Sequence, residues 1–275
     1  MYQSATDHLK TYDLYEVAQA KPKRKVSDAQ RAVLDRARVA AEIKSRTCRR
    51  CGVVQEVVYG LDERGRCMQC VGQAQERRHA RDRAAACRWA WETLQRTDVV
   101  VLDTETTDIE AALMCQIAII DLAGAVLLDT LVNPGQPISE GAIFVHGITD
   151  AMVADAPTFA DLVPQMEQLL HDKTVLAYNA DFDAGVIARH TRELWGYTAP
   201  TLAWNKRISW LDLMEPYAAV VGQWHDYYRS YTWQPLPGGD HTAVGDCRAA
   251  LDVLKEMASE HQRTLDQTQK GPSDD

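Results

Sequence analysis

The pattern of apolar and polar positions alternates between short apolar runs and longer stretches with helical spacing. Val99-Val-Val-Leu102 is a β-branched run of the kind that forms a buried strand. Gln116–Asp121 and Ala125–Val132, joined by a turn at Ala123-Gly124, complete a three-stranded meander that Asn133-Pro-Gly135 and Pro137 end. Thr158 to His171 predicts a helix that Pro164 delays or kinks. Thr174–Ala177 is a fourth strand and Asp181–Leu194 a helix. Ile208–Leu213 is a short strand leading to a helix entry at Glu215-Pro216. An aromatic-rich loop spans Gln223–Gly239, and a last helix runs from Thr242 to His261. Ahead of these lie two stretches without Gly or Pro, Asp28–Arg46 (capped by Ser27 or Asp28) and Gln73–Arg96. In the second, Ala80, Ala84, Cys87, Trp91 and Leu94 form one apolar stripe. Alternating strands and helices predict an α/β domain preceded by a smaller helical module.

Composition adds an asymmetry. The 275 residues carry a net charge of −9, yet residues 1–97 hold 20 Lys and Arg against 12 Asp and Glu, and residues 98–275 hold 10 against 27. A basic arm on an acidic body suits a nucleic-acid tether joined to a carboxylate-rich metal site. The run Lys21–Lys25 and the arginines of the first helix belong to that arm. No stretch approaches 18 apolar residues and the N-terminus lacks an apolar signal core, so the expectation is a cytoplasmic protein without a membrane partner.

Four of the seven cysteines form two CxxC pairs, Cys48/Cys51 and Cys67/Cys70, with 15 residues between them. This spacing predicts one structural Zn²⁺ on four thiolates, because a segment this short cannot build a core unaided. Gly52 and Gly72 follow the pairs and allow the chain to bend away. Val53–Tyr59 reads as a strand and Gly60–Gly65 as a turn that brings the pairs together. Arg49, Arg50, Arg64 and Arg66 make this zinc-ribbon-like module basic, with nucleic acid as its first candidate partner and protein as the second.

On the extended backbone after Leu102, side chains at i and i+2 share a face, so Asp103 and Glu105 project together. Adjacent carboxylates repel, and a hard divalent cation relieves them. Asp183 follows the fourth strand within Asn179-Ala-Asp-Phe-Asp183, and His241 and Asp246 lie where the last helix begins. A five-residue step on a regular helix leaves two side chains roughly 140° apart, so His241 and Asp246 share a site only if His241 precedes the cap, with Thr242 available as that cap.

DxE on the first strand, NAxFD after a later one and HxAxxD at the final helix, in that order, resemble the DEDDh 3′–5′ exonucleases. Phe144-Val-His146-Gly-Ile148-Thr149-Asp150 is similar to the segment between the first two motifs in the proofreading subunits of bacterial replicative polymerases. The resemblance implies a ribonuclease H-like α/β fold with a central mixed sheet. It implies four metal-binding carboxylates, Asp103, Glu105, Asp183 and Asp246, with His241 as general base and two Mg²⁺ or Mn²⁺. Thr104, Thr106, His146 and Asn179 become candidate substrate-binding residues. The implied reaction releases nucleoside 5′-monophosphates from a free 3′ end, on single-stranded DNA by preference or on RNA. A polymerase or repair complex is an implied partner, and a docking module without catalysis is the remaining alternative. Two positions depart from the family's pattern: Asp108 stands where glycine is frequent and Tyr178 where histidine is.

The expected organisation is a basic arm and helix (1–46), the four-cysteine module (47–75), a connector helix (76–96), the exonuclease domain (97–262) and a disordered tail (263–275). The aromatics in Gln223–Trp233 read as a self-packed loop or as a surface on which bases stack; Trp195 and Trp204 read as packing residues.

Overall fold

The computed structural model describes residues 25–56 and 60–269. Most of the basic run at 21–25, the end of the strand expected over 53–59 and the last six residues lie outside them. The chain divides at Ala74/Gln75 into two compact units.

In the first unit, helix α1 (Asp28–Arg46) starts at a capping box, in which the Ser27 hydroxyl accepts from Gln30 N–H and the Gln30 side chain accepts from Ser27 N–H. No α1 residue is buried. The core of this unit is the cysteines themselves: Cys48, Cys67 and Cys70 are buried with Leu61 against them. Over its described residues, 53–56, the strand expected from Val53 shows a single bridge, Thr47 to Val54. Cys48 N–H donates to Val53 O and Gly52 N–H to Cys48 O, so a tight knuckle takes the place of a ladder. Gly52 and Gly65 sit at positive φ, whereas Gly72 is helical: the second CxxC pair lies at the start of helix α2 (Met68–Leu94), and no bend follows it.

The second unit is built on a five-stranded sheet of β1 (Val99–Thr106), β2 (Met114–Asp121), β3 (Val126–Leu131), β4 (Thr174–Ala177) and β5 (Ser209–Asp212), in the order β3-β2-β1-β4-β5. The pairs β1–β2 and β2–β3 are antiparallel, while β1–β4 and β4–β5 are parallel. This is the mixed sheet of a ribonuclease H-like α/β fold. Alternation along β1 divides two cores. Val100 and Leu102 face a layer containing Phe159, Leu162, Met166, Val186 and Ile187, from α5 (Phe159–Leu170) and α6 (Ala180–Trp195). Val99 and Val101 face Cys247, Leu251 and Leu254 of α9 (Ala243–Gln269), together with Ala86 and Ala90 of α2. The stretch read as a connector is therefore part of this unit's core.

Several elements differ from expectation. The buried line on α2 runs through Ala86, Cys87, Ala90 and Thr93, while Ala80 and Ala84 are exposed. Cys87, Trp91 and Leu94 of the expected stripe do pack inward, but polar residues displaced its first half: Arg83 pairs with Glu260 of α9, and Asp82 accepts the Tyr231 hydroxyl. Helix α5 starts on time despite Pro164, because Thr158 and Asp161 form a capping box. The short helices α3 (Glu140–His146), α4 (Asp150–Val153) and α7 (Ala199–Arg207) were not evident in the pattern. Buried Trp204 anchors α7, its indole N–H donating to Glu167. Helix α8 (Met214–Val221) precedes a two-stranded hairpin, β6 (Trp224–His225) and β7 (Ser230–Tyr231), within the aromatic loop. The tail expected over 263–275 is helical as far as Gln269, since nothing before Gly271 breaks a helix.

Candidate active site

The two faces of β1 deliver the carboxylates from opposite sides. Asp103 and Glu105 continue the odd-numbered face toward α9, where their oxygens and those of Asp246 lie within 4.8 Å of one another. Thr104, on the other face, is buried and donates its hydroxyl to Asp183 Oδ1 at 2.7 Å. Asp183 thus reaches the strand end from the α6 side, tied to Thr104 rather than gathered with the other three.

Burial dominates the electrostatics. It pushes the Asp103 carboxyl well above its ordinary range, with the negative charges of Asp183, Asp246 and Glu105 adding to the effect. Burial likewise lifts Glu105 to about 7, with Asp246 and Asp183 as the next causes. Asp183 rises to about 7 by burial alone, against the Thr104 hydrogen bond. Among the described residues, no Lys or Arg forms an ion pair with any of the four. All-oxygen donors, mutually repelling and without a protein cation, fit a divalent metal of the Mg²⁺ or Mn²⁺ kind.

The start of α9 explains how His241 and Asp246 share one side. Thr242 is the cap, its Oγ1 accepting from Gly245 N–H at 3.1 Å, and His241 precedes it at φ 59°. Asp246 Oδ1 accepts two backbone N–H groups, from Asp240 at 2.9 Å and His241 at 3.2 Å. The Asp240 carboxylate accepts Thr242 N–H at 3.0 Å and its hydroxyl at 2.7 Å. It lies where a Cβ on residue 245 would be, so a side chain there would displace that carboxylate, and a Cβ on Gly239 would come within 2.9 Å of Asp246 Oδ1. Gln116, opposite Glu105 in the sheet, accepts the Ala243 N–H and fixes the helix end against β2. Asp240, Gln116 and the two glycines were missed as positioning residues. Only Asp240-x-Thr242, an Asx-type turn signal, could have pointed to the first.

The other candidates are scattered around the mouth. Asn179 precedes α6 and is exposed. Thr106 donates its hydroxyl to Asp108 O, and Asp108 accepts Ile109 N–H. His146 is engaged at both nitrogens: Nδ1 accepts Ile148 N–H, which places the proton on Nε2, 3.1 Å from Thr106 O. Its ring therefore braces the β1 end. Tyr178 donates its hydroxyl to Gln234 O.

The exonuclease family RNase_T matches residues 100–254, a span that contains all five motif residues. The chain belongs to this exonuclease family. It is 33% identical over 175 residues to an uncharacterized exonuclease of Escherichia phage 186, covering 58% of this chain and 88% of that protein. It is 38% identical over 105 residues to a DNA polymerase III subunit epsilon-like protein of Rhodobacter capsulatus, covering 35% of this chain but only 15% of the relative. Among solved structures, exonuclease X in complex with 5′ overhanging duplex DNA is 26% identical, with a TM-score of 0.35, covering 60% of this chain and 93% of that one. As a DEDDh-type exonuclease, the chain acts on nucleic acid.

The first unit holds a second candidate metal centre. The sulfurs of Cys48, Cys51, Cys67 and Cys70 lie within 4.8 Å of one another, and all four are free thiols. Backbone N–H groups aimed at Cys48 lower its thiol to about 6, and burial raises Cys70 to about 12. Four sulfurs at one point fit a tetrahedral Zn²⁺. Arg66 is taken up by a two-pronged bond to Asp62, leaving Arg49, Arg50 and Arg64 exposed as the basic face.

Proposed function

We propose that this chain is a metal-dependent 3′–5′ exonuclease that releases nucleoside 5′-monophosphates from single-stranded ends, with DNA as the preferred substrate. The observation that carries the reading is the gathering of Asp103, Glu105 and Asp246 beside Asp183, without a protein cation and with His241 at the same helix end. When bound, two Mg²⁺ or Mn²⁺ ions supply charge that offsets the carboxylates and the developing charge on the attacking and leaving oxygens. Asp103, Glu105, Asp183 and Asp246 would hold them. The His241 imidazole takes the proton of the attacking water, held in reach by its position ahead of the Thr242 cap. Asn179, exposed at the mouth, borders the terminal nucleotide, while Thr104 and Thr106 act behind it by holding Asp183 and the Asp108 backbone. Cys48, Cys51, Cys67 and Cys70 would hold one structural Zn²⁺, and Arg49, Arg50 and Arg64 would grip phosphates of a longer strand.

Similarity to a DNA polymerase III subunit epsilon-like relative supports a DNA substrate and association with a polymerase, and similarity to an RNA exonuclease keeps RNA as the second reading. Matched 5′-labelled DNA and RNA oligonucleotides test the assignment. Faster stepwise shortening of DNA from the 3′ end is expected; faster cleavage of RNA would make this an RNA-trimming enzyme, and cleavage of neither would return the fold to a docking role.

A further inference from the structure

The aromatic hairpin stands next to the candidate site and is only partly used by the fold. Its inner residues pack on one another, Trp224 edge-on to Tyr231 at 5.2 Å with Arg78 stacked over the indole at 4.8 Å. Its outer residues leave wide aromatic surface open: Trp233 is 67% exposed, and Tyr227 and Tyr228, edge-on to each other at 5.0 Å, are 83% and 71% exposed. Exposed rings of this size lose apolar surface to water unless something covers them.

Trp233 is placed by the site. In the parallel pairing of β1 and β4, Val101 lies opposite Leu176, so two residues further Asp103 lies level with Tyr178. The Tyr178 hydroxyl donates to Gln234 O at 2.7 Å, which holds the residue after Trp233 beside the strand end that carries the carboxylates. Tyr178 O also accepts Met214 N–H, so α8 begins at the same corner. Between α8 and the hairpin lies a cavity of about 280 Å³, bordered by Glu215, Ala218, Arg229, Tyr231 and Trp233. It offers an aromatic face, a guanidinium and one carboxylate. That set matches an unpaired nucleotide: the ring stacks the base, Arg229 meets the phosphate, and Glu215 accepts from an exocyclic amino group.

We infer that Trp233, with Arg229 and Glu215, forms a subsite that stacks one unpaired base of the substrate strand beyond the nucleotide being released. This rests on the exonuclease reading above. Stacking gives grip on any single-stranded end, because every base has a π-face, and Glu215 adds a preference for bases with an exocyclic amino group.

The test is an abasic scan of a single-stranded oligonucleotide, one position at a time, against the full-length parent, Trp233→Ala and Trp233→Phe. Kd would be measured with Ca²⁺ in place of Mg²⁺, and KM and kcat with Mg²⁺. Loss of a stacked base is worth roughly 5- to 150-fold in affinity. The parent should lose affinity on that scale at one internal position. Trp233→Ala should start weaker by a similar factor and show no further loss at that position, its effect falling on KM rather than kcat. Trp233→Phe should recover most of the affinity. An abasic profile identical in parent and Trp233→Ala would overturn the subsite, as would an effect confined to kcat. If the parent shortens no oligonucleotide at all, the exonuclease reading fails instead.

Discussion

Substituting Asp183 by Asn should stabilise the protein in the absence of divalent cations while abolishing its activity. Burial raises the Asp183 carboxyl from 3.8 to about 7. At about 1.4 kcal/mol per pH unit, that is about 4 kcal/mol, and water entry on relaxation reduces it to roughly 2–4 kcal/mol. The folded pKa lies above the unfolded one, so this stability is fully present below pH 4 and lost as the pH rises through about 7. His190 acts in the opposite direction. Burial lowers it to about 4, so its contribution is present above about 6.5 and is lost as the pH falls. Between pH 4 and 6.5 the two partly cancel in the parent. The difference between parent and Asp183→Asn removes the histidine and leaves the carboxylate. That difference should be near zero at pH 4 and should grow to roughly 4–16 °C in Tm by pH 8, taking 2–4 °C per kcal/mol for a unit of this size. All seven tryptophans lie between Trp89 and Trp233, so fluorescence melts report the second unit alone. Added Mg²⁺ should raise the parent's Tm and leave the variant's nearly unmoved. A variant less stable than the parent at pH 8 would refute the claim that an uncompensated buried carboxylate strains this site.

Gly245→Ala should break the latch at the start of α9, because the new Cβ overlaps the Asp240 carboxylate that holds Thr242. Better helix propensity offsets part of the cost, so melts should show a loss of only about 1 kcal/mol, while turnover falls by about tenfold to a hundredfold through displacement of His241 and Asp246. His241→Ala should lower kcat by roughly 10²–10⁴-fold with unchanged melting, and a variant with parental kcat would place proton transfer elsewhere. Elemental analysis should find about one zinc per full-length chain and almost none after Cys70→Ser; equal contents would reject the four-sulfur site.

What could be read in the sequence followed from periodicity that tertiary contacts did not override. Val99 to Leu102 is a continuous apolar run that marks a strand, and the shared face of Asp103 and Glu105 follows from strand geometry alone. The position of His241 ahead of a Thr242 cap followed from the 3.6-residue period. The tie between Thr104 and Asp183 could not be read, because it joins residues 79 apart, one on β1 and the other on α6. The first half of the α2 stripe, Ala80 and Ala84, proved exposed for a related reason. His79, Asp82 and Arg83 occupy the inward face through hydrogen bonds, an ion pair and the bare backbone of Gly222, and an apolar count cannot see them. Helix α3 has seven residues, none buried, and rests on the Ser139 cap, too local a signal to rise above the surrounding loop.

One time course with a 5′-labelled single-stranded DNA, using parent and Asp103→Asn with and without Mg²⁺, separates a metal-dependent 3′–5′ exonuclease from its alternatives. A ladder shortening one nucleotide at a time from the 3′ end, with 5′-monophosphates released, is expected only for the parent with Mg²⁺. A ladder that persists in Asp103→Asn or without a divalent cation, or release of the labelled 5′ nucleotide first, would contradict that reading.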